Sequence, residues 1–236
     1  MTPYIYRFPG RIWQVIPDPV RPGVAVEYRE NRRVGWAWLP AHMPLAPVWI
    51  EHPEPWYAGL EGVWDGMVLL HGYEAPDWPV RQGVWAYEGS SGQLAWHRPT
   101  LRLSQASEGG FCLQDETGTR HWTDRAGTPV APLTALPLAE TMPITYPTPC
   151  PADRLPAAAM RISLSGGTAY QSGDWVALLH ETPEHQAMPL LVHLSQEMTW
   201  PLTATPGGLP DPPFIVYAGI LWAQTGSDTL LALPYT

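Results

Sequence analysis

The chain has 236 residues, with 29 Pro, 21 Gly, 13 Trp, only 3 Phe, no lysine and a net charge of −9. Frequent Pro and Gly break the chain into short segments and disfavour long helices, and 45% hydrophobic residues exclude a chain too polar to fold. The negative charge disfavours nucleic acid, because among the scattered arginines only Arg29, Arg32 and Arg33 cluster.

Taken in order, residues 4–8 and 11–16 alternate as strands, and Pro17-Asp18-Pro19 ends the second. Residues 23–28 and 34–39 form a hairpin around the charged turn 29–33. Five prolines between 40 and 55 leave room only for a short edge strand at 48–50. Residues 56–63 lead to the turn Trp64-Asp65-Gly66, and 67–72 is an apolar run of buried-strand type. A loop is expected at 73–79. Strands 80–87 and 93–96 then flank the turn Glu88-Gly89-Ser90-Ser91-Gly92. Short strands follow at 101–103, 110–113 and 119–123.

Eight prolines between 128 and 156 predict an extended crossover, placed at about 128–157. The one helical turn expected is 156–161. Strands resume at 161–164, 169–170, 174–180, 188–194 and 198–202, and after a Pro/Gly loop at 214–217, 220–224 and 229–233. The first strand, 4–8, is expected to pair with the last, 229–233, leaving no free edge.

Two internal echoes stand out. Ser91-Gly92 with Trp96 is matched by Thr117-Gly118 with Trp122. Val68-Leu69-Leu70-His71 is matched by Val176-Ala177-Leu178-Leu179-His180. The first echo resembles the blade ending of quinoprotein-like (PQQ-type) propeller repeats. Ala86, Glu88, Ser91, Gly92 and Trp96 fill that pattern, with Glu for Asp and Ser for Thr. The second copy keeps Thr117, Gly118 and Trp122 but has Cys112 for Ala and Gln114 for the acid. The resemblance implies that Trp96 and Trp122 pack between sheets. It does not imply quinone binding, since the adjacent cysteine pair of the quinone enzymes is missing: Cys112 and Cys150 stand far apart. The order Ile12-Trp13, then 56–60, then 69–79 also resembles an uncharacterised bacterial family of about this length.

The expected fold is all-β: a single domain over 1–236, a small propeller of about five irregular blades at 40–45 residues each. A β-sandwich with long Pro-rich insertions is the alternative.

The candidate binding residues lie in two segments. One carries His71, Tyr73, Glu74, Asp77 and Trp78; the other carries His180, Glu181, Glu184 and His185. Imidazoles and carboxylates brought to one face could hold a metal or exchange protons. No nucleophile elbow or phosphate loop is present, and no cofactor or resident metal is expected. The expectation is a non-enzymatic binding or scaffold protein with a protein or small-molecule partner, cytoplasmic, with neither nucleic acid nor membrane as partner. A metal-assisted hydrolase using the two His/acidic segments and a carbohydrate-binding module are the alternatives.

Overall fold

The computed structural model describes residues 3–31, 33–41, 46–54, 56–75, 78–107, 109–131, 142–151, 155, 168–181, 187–196, 198–202 and 213–235. The expected helical turn at 156–161 and strand at 161–164 lie outside these residues. Among the described residues no helix is long and apolar enough to cross a membrane.

The protein is all-β. Strand β1 (Tyr4–Arg7) precedes a first sheet of β2 (Arg11–Pro17), β3 (Gly23–Glu30), β4 (Arg33–Pro40) and β5 (Val48–Ile50). A second sheet holds β6 (Ala58–Trp64), β7 (Met67–Ala75), β8 (Trp78–Glu88) and β9 (Leu94–Arg98). A third holds β10 (Arg102–Ser107), β11 (Gly110–Gln114), β12 (Arg120–Thr123) and β13 (Pro129–Val130). After β14 (Ile144–Thr145), a fourth sheet runs through β15 (Thr148–Pro151), β16 (Thr168–Ser172), β17 (Trp175–Glu181), β18 (Ala187–His193) and β19 (Met198–Pro201). The chain ends in β20 (Phe214–Tyr217), β21 (Ile220–Gly226) and β22 (Thr229–Pro234). These form a fifth sheet in the order β1-β22-β21-β20-β14. Five antiparallel sheets of four or five strands are consistent with a five-bladed propeller. The expected pairing of first and last strands is present, with Tyr4 opposite Ala232 and Arg7 opposite Thr229.

The chain falls into two compact units, Phe8–Pro143 and Met1–Arg7 with Ile144–Thr236. In the Phe8–Pro143 unit β7 is buried on both faces. Val68 and Leu70 join Ala25, Trp36, Trp38, Leu60 and Tyr87 on the side of the first sheet. Met67 and Leu69 join Val84, Ala86, Trp96, Phe111 and Leu113 on the side of the third. Two-sided burial is why 67–70 reads as an unbroken apolar run. The echo at β17 has the same cause in the other unit. There Trp175 and Ala177 pack with Phe214 and Leu221, and Val176 and Leu178 with Ala169 and Val192.

Two expectations are corrected. Residues 73–75 and 78–79 are strand rather than loop: β7 and β8 run on until Ala75 pairs with Trp78. Register shifts at His71/Gly72, where Gly83 takes a φ of 82°, and at Tyr73/Ala75 break the period-2 pattern and hide the strands. Nor are the two Gly-x-x-x-Trp copies equivalent. Ser91-Gly92 joins the third and fourth strands of its sheet, whereas Thr117-Gly118 joins the second and third of the next. The counterpart of the first is Asp124–Thr128, where Asp124 Oδ1 accepts the Thr128 N–H at 2.7 Å and Gly127 has a φ of 81°. Thr117-Gly118 belongs instead to a turn built on Asp115, whose carboxylate accepts the Thr117 hydroxyl at 2.7 Å and the Thr117 and Thr119 N–H groups at 2.9 Å. Both connections need a small left-handed residue, and that shared demand makes them look alike in sequence.

Candidate functional site

The Phe8–Pro143 unit has two distinguishable ends. At one, the β2–β3 loop meets the β6–β7 turn, and Arg21 Nε lies 2.6 Å from Asp65 Oδ1. At the other, the β3–β4 turn lies near the start of β6, and Arg33 sits 5.9 Å from the centre of the Trp56 ring. The candidate site is this second end.

Each first strand of the three sheets carries one extra residue. The register skips Trp13 in β2, Glu61 in β6 and Ser104 in β10. A bulge re-aims its side chain out of the alternating pattern. Trp13 is thereby 57% exposed, and the Arg29 guanidinium lies over its ring at 3.9 Å. Arg29 is held from behind by Glu27, with Nε at 3.0 Å and Nη2 at 2.9 Å from Oε1. Glu27 is buried, and its other oxygen accepts the Leu60 N–H at 2.7 Å, which ties β3 to the bulge in β6. A buried carboxylate with three such donors is satisfied, and it fixes the arginine above it. Trp56 and Tyr57 are also exposed at this end, where Tyr57 carbonyl accepts the Tyr73 N–H at 3.0 Å.

The second bulge builds a charged group. Glu61 Oε2 lies 2.7 Å from His71 Nδ1 and 2.9 Å from Arg81 Nη1. The histidine approach is short but off the hydrogen-bond axis. Burial pushes the Glu61 carboxyl up, but His71 and Arg81 together outweigh it and hold it below its ordinary value. His71 is buried, its ring set edge-on to Tyr73 at 5.0 Å. Its Cε1–Nε2 edge occupies the space a side chain at Gly59 would fill, 2.8 Å from that Cβ position. His71 Nε2 has no partner among the described residues. An imidazole steered by a carboxylate can serve as base or ligand. Here its free nitrogen faces the β6 backbone rather than a nucleophile.

Of the sequence candidates, His71 and Tyr73 therefore meet. Glu74 falls on β7, Trp78 on β8, and His180 and Glu181 on β17. Asp77, Glu184 and His185 lie outside the described residues. Among the described residues no group of three His, Cys, Asp or Glu side chains is placed to hold a metal. Cys112 is buried and Cys150 half-buried, both free thiols. Trp96 is a wedge: it packs on Phe111 at 5.5 Å between ring centres and donates its indole N–H to the Arg125 carbonyl at 2.9 Å. Ala86 is buried beneath it, and Glu88 accepts from Arg125 Nη2 at 2.8 Å. Sequence reasoning missed Glu61, Arg81 and the Glu27–Arg29–Trp13 stack. One signal was there: Glu61-Gly62 interrupts the alternation between Leu60 and Val63, as a bulge does.

Behind this end, His52 packs against Trp36, Trp85 and Tyr87, and His97 stacks on Trp85 at 4.1 Å. Burial lowers both imidazoles, against an opposing pull from Glu54. His52 Nδ1 accepts the Glu54 N–H at 2.9 Å, so the neutral ring carries its proton on Nε2. A depressed histidine binds its proton less readily folded than unfolded. Its stability is therefore full above the unfolded value of 6.5 and is lost as pH falls through the folded value. The urea midpoint should fall between about pH 7.5 and 5.5, and H52Q/H97Q should flatten that slope. An unchanged slope in the double variant would contradict the assignment.

No curated protein matches the chain. Residues 24–96, which run from β3 into β9 and take in Arg29, Arg33, Trp56, Glu61, His71 and Arg81 of the site but not Trp13 on β2, are similar to a domain of unknown function, DUF4905.

Proposed function

We propose that the protein is a non-enzymatic binding or scaffold protein whose partner docks at the β3–β4 end of the first two sheets. The observation that carries this is the pinned Arg29–Trp13 stack, with Arg33–Trp56 beside it. Trp, Tyr and Arg dominate the energetics of interfaces, and an arginine already fixed by Glu27 loses little freedom on binding. The net charge of −9 supports a protein or small-molecule partner rather than nucleic acid. The resemblance of Ala86, Glu88, Ser91, Gly92 and Trp96 to a PQQ-type blade ending bears on fold and brings no quinone with it.

The test compares affinity enrichment from a native extract on wild type and on W13A/R29A/W56A. A partner retained by wild type and depleted at least about tenfold by the variant is the expected result. Identical profiles from both baits would sink the assignment of this end.

A second reading, a metal-assisted hydrolase, is favoured by one contact, the short approach of Glu61 to His71 Nδ1. Stoichiometric zinc in the purified protein, lost in H71A, would establish it over the first.

A further inference from the structure

At the opposite end of the same unit lies a cavity of about 350 Å³, lined by Arg21, Pro22, Trp38, Val48, Gly66 and Ser90 among others. That volume is at the lower end of small-molecule sites. We propose that this cavity binds a small uncharged aromatic ring bearing one carbonyl acceptor. The proposal goes beyond the docking end described above and rests on separate residues.

The cavity is built and held, not merely left over. The Trp38 indole lies between two glycines. A Cβ on Gly23 would sit 2.2 Å from its Cζ2, and one on Gly89 would sit 3.0 Å from its Cγ. The ring cannot turn, so it presents one fixed wall. Two further walls are fastened together by the fully buried Asp18. Its carboxylate accepts the N–H groups of Val20 at 2.9 Å and Arg21 at 3.2 Å, in the loop that carries Arg21 and Pro22. It also accepts those of Asp65 at 3.0 Å and Gly66, in the facing turn. Gly89 N–H donates to the Gly66 carbonyl at 2.8 Å and fixes the turn bearing Ser90. A site fixed before its ligand arrives loses little entropy on binding.

The lining selects the ligand. Trp38, Pro22, Pro40, Ala46 and Val48 line the cavity with apolar side chains, which suits a small flat apolar ring. Among the described lining residues, Arg21 and Ser90 carry the polar side chains, and both are able to donate. Asp65 already balances the Arg21 charge. A neutral carbonyl therefore suits the rim better than a second carboxylate, which would compete with Asp65.

The probe is benzamide, titrated into the full chain and followed by tryptophan fluorescence and ligand-observed NMR. Saturable binding with a dissociation constant of about 1 mM or tighter is expected from the ligand's size. Benzoate and cyclohexanecarboxamide should each bind at least about threefold more weakly. Ala46→Phe and Ser90→Trp both fill the cavity from exposed positions and should each weaken benzamide at least about tenfold. W13A/R29A/W56A should bind it normally, so a failure of the docking end leaves this result standing. No saturation in wild type, or equal binding by both filled variants, would overturn the proposal.

Discussion

Replacing Asp18 with alanine will lower the free energy of unfolding by about 3–5 kcal/mol, the largest effect expected of any single polar change in the described residues. Asp18 is fully buried, and its two oxygens accept four backbone N–H groups from two separate connections. Hydrogen bonds to a charged group contribute about 1.5–3 kcal/mol each, and a donor left buried without an acceptor adds its own desolvation cost. Water can enter to satisfy some of the four, which keeps the total below the simple sum. Asp18→Asn keeps acceptor capacity on one atom only and should fall between wild type and alanine. Asp65→Asn, which tolerates the left-handed backbone of that turn, removes a partly exposed ion pair and should cost under about 1 kcal/mol. Urea unfolding followed by tryptophan fluorescence measures all three. A loss below about 1 kcal/mol in D18A would mean that Asp18 does not fasten the two connections.

Trp96→Ala will cost a further about 3–5 kcal/mol, by a different mechanism. The indole fills the seam between the second and third sheets, against Met67, Leu69, Val84, Phe111 and Leu113. The third sheet closes over it through the Asp124–Thr128 turn, where Gly127 sits so near that its Cβ would lie 2.5 Å from Trp96 Cγ. Truncation opens a void between rigid sheets that cannot collapse, and it strands the Arg125 carbonyl. Trp122, half-buried on β12, should cost clearly less on the same change. Equal losses at both positions would contradict the distinction drawn between the two hairpins.

The strands were legible because their alternation follows burial. β7 announced itself as an apolar run, and β1 and β22 as strands able to pair. The Asp65-Gly66 turn was legible from residues that accept positive φ at both positions, whereas at Ala218-Gly219 only the glycine signalled a turn, because alanine disfavours the left-handed conformation that Ala218 adopts. The candidate site was only half legible. His71 and Tyr73 could be picked out by type, but their partners Glu61 and Arg81 come from neighbouring strands. Register brings them together, and a bulge decides which face Glu61 takes. Asp18 looked like turn punctuation between two prolines. Nothing local shows that its carboxylate reaches Asp65 and Gly66, more than forty residues on. Trp13 failed for the opposite reason: alternation alone does not reveal a residue that the register skips. The Gly-x-x-x-Trp echo misled because two different connections demand the same glycine.

Hydrogen–deuterium exchange of the wild-type protein, with and without the partner recovered by enrichment, tests the docking assignment most directly. Protection is expected at the β2 bulge around Trp13, at the β3–β4 turn from Arg29 to Arg33, and at Trp56 and Tyr57. Protection confined to the Asp18–Asp65 end, or to the Ile144–Thr236 segment, with the Trp13 end unchanged, would contradict it.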